Sequence, residues 1–196
     1  MRSLSTHSTQ GGPMRELTKA ELRIIKELKK QDILQPPRGY QLDYRNGVIM
    51  VACADGDQLY DLFTTHAGLC PSNPNRHRIH LLTRNGGALW ISRPRTFNRQ
   101  TDEVGSLLKE IQKAHSMKHI NAVALYTHVP CGVADEFNTD IVTNLKLLIE
   151  AKILVRPLSP DFQTAEFFHV DYGQGKKRSY YVSPEKFDEW LNSKKS

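Results

Sequence analysis

The most constraining stretch of this chain is residues 47–57, Gly-Val-Ile-Met-Val-Ala-Cys-Ala-Asp-Gly-Asp. The apolar run Val48–Ala52 is long enough for a buried strand and too short for a helix. It stops abruptly at Cys53, Asp55, Gly56 and Asp57. In open α/β sheets, ligands bind outside the carboxyl ends of the strands. A thiol and two carboxylates therefore leave this strand where such folds do their chemistry.

A second stretch answers it. Residues 121–127, Asn-Ala-Val-Ala-Leu-Tyr-Thr, again read as a buried strand, and His128-Val129-Pro130-Cys131-Gly132 follow. His128 and Cys131 are three apart, so one tight turn aims an imidazole nitrogen and a thiolate at a common point. If the two strands are neighbours, Cys53 joins them, and two sulfurs and one nitrogen surround an open fourth position. Catalytic zinc sites have that composition and opening, whereas structural zinc is closed by four protein ligands. Taken singly, Cys53 and Cys131 read as ordinary buried strand-end residues and His128 as a satisfied core histidine. The ordered triple, with Asp55 and Gly132 beside it, favours a metal site.

In these motifs the chain resembles the β-class carbonic anhydrases. That family carries Cys-x-Asp-x-Arg at the end of its first strand and His-x-x-Cys, usually followed by Gly, at the end of a later one. Cys53-Ala54-Asp55 and His128-Val129-Pro130-Cys131-Gly132 match in order and context. Leu81-Leu82-Thr83-Arg84-Asn85-Gly86-Gly87 resembles the family's middle strand and its Arg-Asn-Ala-Gly turn. The similarity runs from about residue 45 to about residue 150. It departs at Asp57, which stands where the family has Arg.

The resemblance implies an α/β fold with a mainly parallel central β-sheet flanked by helices. It implies Zn2+ held by Cys53, His128 and Cys131, with Asp55 as the catalytic group and Asp57, Arg84 and Gly132 around them. The implied activity is reversible hydration of CO2 to bicarbonate by a metal-bound hydroxide, in a homodimer or higher homo-oligomer. In the family the Asp pairs with the motif Arg, which holds it off the metal. With Asp57 in that place, Arg76, Arg78 or Arg84 substitutes in space, or Asp55 ligates the metal, or the site serves another small substrate. The alternative is thus a non-catalytic member of the fold, or one acting on a CO2 analogue such as carbonyl sulfide or carbon disulfide.

Composition narrows the remaining classes. A chain of 196 residues with 24% charged and 39% hydrophobic residues has the make-up of a soluble globular protein. No apolar run approaches the ~20 residues of a membrane span. There is no apolar signal-peptide core. Three cysteines cannot all pair internally, which suits a reducing cytoplasm where thiols serve as ligands or nucleophiles. The net charge of +6 comes from dispersed Lys and Arg with only short clusters, so a nucleic-acid partner is not expected.

The rest of the chain supplies the frame. Residues 1–13, rich in Ser, Thr and Gly, read as a disordered tail, and 14–196 as a single domain. Thr18 and Glu21 form a capping box, with Leu17 and Leu22 as staple and Leu22, Ile25 and Leu28 as the apolar stripe of a helix that stops before Pro36. That helix is expected to pack on the sheet or a sister subunit. A short helix around Leu59, Leu62 and Phe63 gives way to an irregular segment, 64–78, whose His66, Cys70 and His77, with His80 beyond, match no zinc spacing. Arg76 and Arg78 of that segment are expected near the mouth of the site. Val104, Leu107, Leu108 and Ile111 predict a helix from about Asp102, and Ile141, Leu145 and Leu148 another over 140–151. Strands at 167–172 and 178–182 form a hairpin, and Ser183 caps a last helix reaching Leu191.

Overall fold

The computed structural model describes residues 15–69, 78–92 and 102–194, with the backbone only at 102–104. The proposed tail, 1–13, together with Cys70, Arg76 and His77, lies outside the described residues. The described residues form a six-stranded sheet flanked by helices, with strand order β1-β6-β5-β4-β2-β3. The strands are β1 (Leu34–Gln35), β2 (Val48–Ala52), β3 (Ile79–Thr83), β4 (Ala122–Val129), β5 (Gln163–Asp171) and β6 (Lys177–Val182). The four strands β3, β2, β4 and β5 pair in parallel, and β6 and β1 extend the sheet antiparallel. This is the α/β, mainly parallel architecture anticipated above.

Strands β2 and β4 are direct neighbours, Val48 aligning with Ala122 and Val51 with Leu125. Both are fully buried along their length, as near-continuous apolar runs require when both sheet faces are covered. The helices are α1 (Lys19–Lys30), α2 (Gly56–Leu69), α3 (Asp102–Lys118), α4 (Gly132–Glu136), α5 (Ile141–Val155) and α6 (Pro184–Ser193). One face of the sheet packs Ile49, Val51, Val123, Leu125 and Val170 against α1, α3, α5 and α6 through Ile25, Leu28, Ile111, Leu145, Leu148 and Phe187. The other face packs Met50, Ala52, Ala124, Tyr126 and Phe167 against Leu62 of α2 and the loop residues Leu42 and Tyr44.

Several expectations are corrected. The capping box of α1 is formed as read, but Leu22 is 40% exposed and only Ile25 and Leu28 of the stripe are buried, both in the core cluster on one sheet face. Helix α2 runs to Leu69 rather than giving way at Thr64, since Leu62 and His66, four apart, both point into the core. His66 is therefore a helical core residue, while His80 lies within β3. Strand β4 extends past Thr127 through His128, so this imidazole leaves a strand rather than a turn. The two-residue strand β1 was not legible, being short and held only by its pairing with β6.

Candidate metal centre

The centre sits where β2 and β4 end side by side. Cys53 follows β2 directly, His128 belongs to the last turn of pleat in β4, and Cys131 is the residue before α4. One ligand atom from each of Cys53, His128 and Cys131 lies within 4.8 Å of the others, and all three residues are buried. Among the described residues this is the one such group of Cys, His and acidic side chains. The parallel register produces it: pairing of Val51 with Leu125 carries the chain two residues further to Cys53 and three further to His128.

The loop after β3 closes the group from behind. Arg84 accepts from the Ala54 N–H and donates to the Ala52 carbonyl, prolonging the β2–β3 ladder past the strand ends. The turn then swings inward, and the Gly86 N–H donates to the Cys53 sulfur at 3.1 Å. Gly87, at φ +55°, sits so close that a Cβ there would lie 2.6 Å from the Cys53 nitrogen and 2.8 Å from the Tyr126 carbonyl oxygen. Only a residue without a side chain allows that approach. The double glycine is therefore a packing requirement of the centre as well as a turn.

The two thiols are inequivalent. The Cys131 thiol beside it draws the Cys53 thiol below its ordinary value, and nearby His128 and the Gly86 N–H act in the same direction against desolvation. Cys131, beside the Cys53 sulfur and buried, is pushed the opposite way, far above its ordinary value. His128 is only 3% exposed, and neither ring nitrogen finds a hydrogen-bond partner among the described residues.

The remaining predicted residues are placed as follows. Asp55 stands outside the three-residue group but lines the same open cavity as Cys53, His128, Cys131 and Gly132, of about 250 Å³. Its Oδ1 accepts from the Asp57 N–H at 3.0 Å, at the start of α2. Asp57 is exposed on the first turn of α2, where an acidic side chain suits the helix dipole, and its carbonyl accepts from Lys177. Arg84 lays its guanidinium over the Trp90 ring, 4.8 Å from the centroid. Arg78 is at the opposite end of the sheet, donating to the Lys118 carbonyl at 3.3 Å, because it precedes β3 rather than following it. The expectation that Arg78 reaches the site is thereby overturned. Asn85, within the turn already matched to the family pattern, also lines the cavity, as do Val133 and Glu136, which carried no signal beyond adjacency to the motifs.

No family model matches this chain, and no curated protein sequence does. Among solved structures it is similar to the wild-type β-carbonic anhydrase CafD of the filamentous fungus Aspergillus fumigatus, at 13% identity, with a TM-score of 0.46 and coverage of 76% of this chain and 99% of that one. It is also similar to the carbonic anhydrase of Streptococcus mutans, at 14% identity and a TM-score of 0.43 over 86% of this chain and 100% of that one. A third likeness is to the carbonic anhydrase from Glaciozyma antarctica, at 14% identity and a TM-score of 0.41 over 84% and 96% of the two chains.

Proposed function

We propose that this protein is a zinc-dependent, β-carbonic-anhydrase-like enzyme that catalyses reversible hydration of CO2 to bicarbonate. The observation that carries the reading is the buried convergence of Cys53, His128 and Cys131 beside an open cavity that also bears Asp55. The donors fit zinc: two sulfurs and one imidazole are its usual ligands, and three protein ligands leave a position for reactants. A buried imidazole with neither nitrogen paired costs about 1–3 kcal/mol per unmet group, and ligation would remove part of that cost. When bound, zinc supplies the Lewis acidity that makes hydroxide available near neutral pH.

The chain's own residues do the rest. The Gly86 N–H donates to the Cys53 sulfur and favours its thiolate, the form a metal ligates. Asp55 is restrained through Oδ1 by the Asp57 N–H, which leaves Oδ2 to accept a hydrogen bond from water in the cavity. In the resembled motif an arginine restrains this aspartate. Here the N-terminus of α2, whose Asp57 N–H donates to the Asp55 side chain and whose dipole end is positive, takes over that task, so Asp57 contributes through its backbone. A homodimer in reducing cytoplasm belongs to the same reading, and sedimentation of the purified protein tests the assembly. Among the described residues no helix is long and apolar enough to cross a membrane.

The test is stopped-flow CO2 hydration by zinc-replete protein from acid to alkaline pH, beside Cys131→Ala. Activity that vanishes in the variant supports the assignment. Absence of activity at every pH, with zinc content verified, overturns it and favours the second reading, a non-catalytic or altered-substrate member of the fold. The loss of the motif arginine at Asp57 is the observation that favours this second reading.

A further inference from the structure

A row of polar residues crosses the sheet beneath α2 and ends at the metal centre. His128 on β4 aligns with His169 on β5, and His169 aligns with Ser179 on β6. Register partners on adjacent strands project to the same face, about one strand spacing of 4.7–4.9 Å apart. The preceding rung on that face is aromatic, Tyr126–Phe167–Tyr181, so the polar rung is not a continuation of local composition. His169 is 0% exposed, and its Nδ1 is 2.9 Å from the Ser179 hydroxyl. The Thr65 hydroxyl of α2, which donates to the Asp61 carbonyl, lies 3.4 Å from that same Ser179 hydroxyl and can accept from it.

Three imidazole nitrogens in this row lack a hydrogen-bond partner among the described residues: Nδ1 and Nε2 of His128 and Nε2 of His169. Buried polar atoms left in this way are rare and need an explanation. A metal at the centre consumes one nitrogen of His128. The two that remain belong to adjacent residues on one rung, and each supplies what the other lacks. A metal-ligating neutral imidazole carries N–H on its other nitrogen, and a neutral His169 that donates from Nδ1 to Ser179 presents Nε2 as an acceptor. Metal-bound histidines regularly donate their second N–H to such a partner, which fixes ring orientation and raises ligand basicity.

We propose that His169, itself oriented by Ser179, is the positioning residue that receives the second N–H of His128 when the centre is loaded, directly or through one water. The inference rests on the metal reading above and adds to it a residue outside the Cys-x-Asp and His-x-x-Cys motifs. It also assigns Ser179 the job of holding the His169 ring in place through Nδ1.

Zinc affinity by competition against a chromophoric chelator, together with the visible absorption of Co2+-loaded protein, tests it. Wild type, Cys131→Ala, His169→Phe, His169→Gln and Ser179→Ala are compared, with circular dichroism and thermal melting to verify folding. The expected result is a loss of about 10- to 100-fold in affinity for His169→Phe with an altered Co2+ spectrum. His169→Gln, which retains an acceptor, should recover part of both, and Ser179→Ala should lie between wild type and His169→Phe. Where His169→Phe does not fold, His169→Gln and Ser179→Ala carry the decision: reduced affinity in both, with an altered Co2+ spectrum, supports the role. Affinity within about twofold of wild type and an unchanged Co2+ spectrum in the folded variants overturn the positioning role while leaving the metal reading intact. Wild type that binds neither ion overturns both, and binding that survives in Cys131→Ala overturns the ligand set instead.

Discussion

At the scale of single residues, the centre depends on groups whose chemistry is set by their neighbours. Asp55 illustrates this. It is neither a free carboxylate nor one of the three clustered ligands, but a side chain tied to the first turn of α2 through the Asp57 N–H. If it orients reacting water, Asp55→Ala should lower CO2 hydration by about 10²- to 10⁴-fold while zinc content stays unchanged. An equal fall in zinc content would instead make Asp55 a ligand. His66 is the contrasting case, a histidine whose sequence spacing matched no zinc pattern. It is fully buried, with Tyr44, Tyr126 and Phe167 ring centroids 5.6, 5.4 and 5.2 Å away, and desolvation lowers it to about 4. An imidazole so enclosed by aromatic rings acts as a neutral core group.

At the scale of elements, the turn after β3 matters as much as the strands. Gly87→Ala would drive a Cβ to 2.6–2.8 Å from backbone atoms of Ala52, Cys53 and Tyr126 while demanding φ +55° of a residue with a side chain. Backbone atoms at two strand ends have little room to give. We expect a loss of about 3 kcal/mol or more in denaturant unfolding, with zinc affinity falling in parallel. Wild-type stability in this variant would mean that the close approach is not maintained in solution. Helix α1 offers a simpler test. Thr18 caps it, and Arg15 forks onto Asp135 of α4 with two 2.7 Å hydrogen bonds while also meeting Glu21. Thr18→Ala should cost about 1 kcal/mol by equilibrium unfolding, the usual size of a lost cap. A change below a few tenths would show that the Arg15–Glu21 contacts hold the helix end unaided.

At the scale of the whole molecule, two buried groups on opposite faces of the sheet tilt stability with pH in opposite senses. His66 is harder to protonate in the folded state, so its contribution is intact above about 6.5 and declines as pH falls toward about 4. Glu166, raised to about 7 by desolvation against the attraction of Lys152 at 2.9 Å, is harder to ionise when folded. Its contribution is intact below about 4.5 and declines as pH rises toward about 7. Between pH 4.5 and 6.5 the two slopes oppose each other. His66→Phe should therefore lose acid sensitivity, the difference from wild type growing to about 3 kcal/mol as pH drops from 6.5 to 4. Glu166→Gln should do the reverse, gaining on wild type as pH rises from 4.5 to 7. Chemical denaturation across that range measures both, and parallel curves for all three proteins would contradict the assignment.

Much of this was legible in the chain itself. Val48–Ala52 and the run ending at Thr127 announced buried parallel strands because both of their faces are apolar, and Thr18-x-x-Glu21 announced a helix start because capping is local chemistry. The spacing of His128 and Cys131, and the thiol at the end of an earlier strand, announced the centre. What stayed hidden depends on neighbours distant in sequence. That β2 lies against β4 is decided by sheet order, and that Arg78 falls at the wrong end is decided by strand direction. Helix α2 continued past its apparent end because His66 found an aromatic enclosure built from three other segments. The alignment of His169 and Ser179 with His128 follows from the β4–β5–β6 register alone, since nothing local to residues 169 or 179 refers to residue 128. Sequence by itself determined which residues could ligate and which segments could be strands, because propensity and side-chain chemistry act over a few residues. Only the tertiary structure decided which of them meet, because register and strand order are set by burial across the whole sheet.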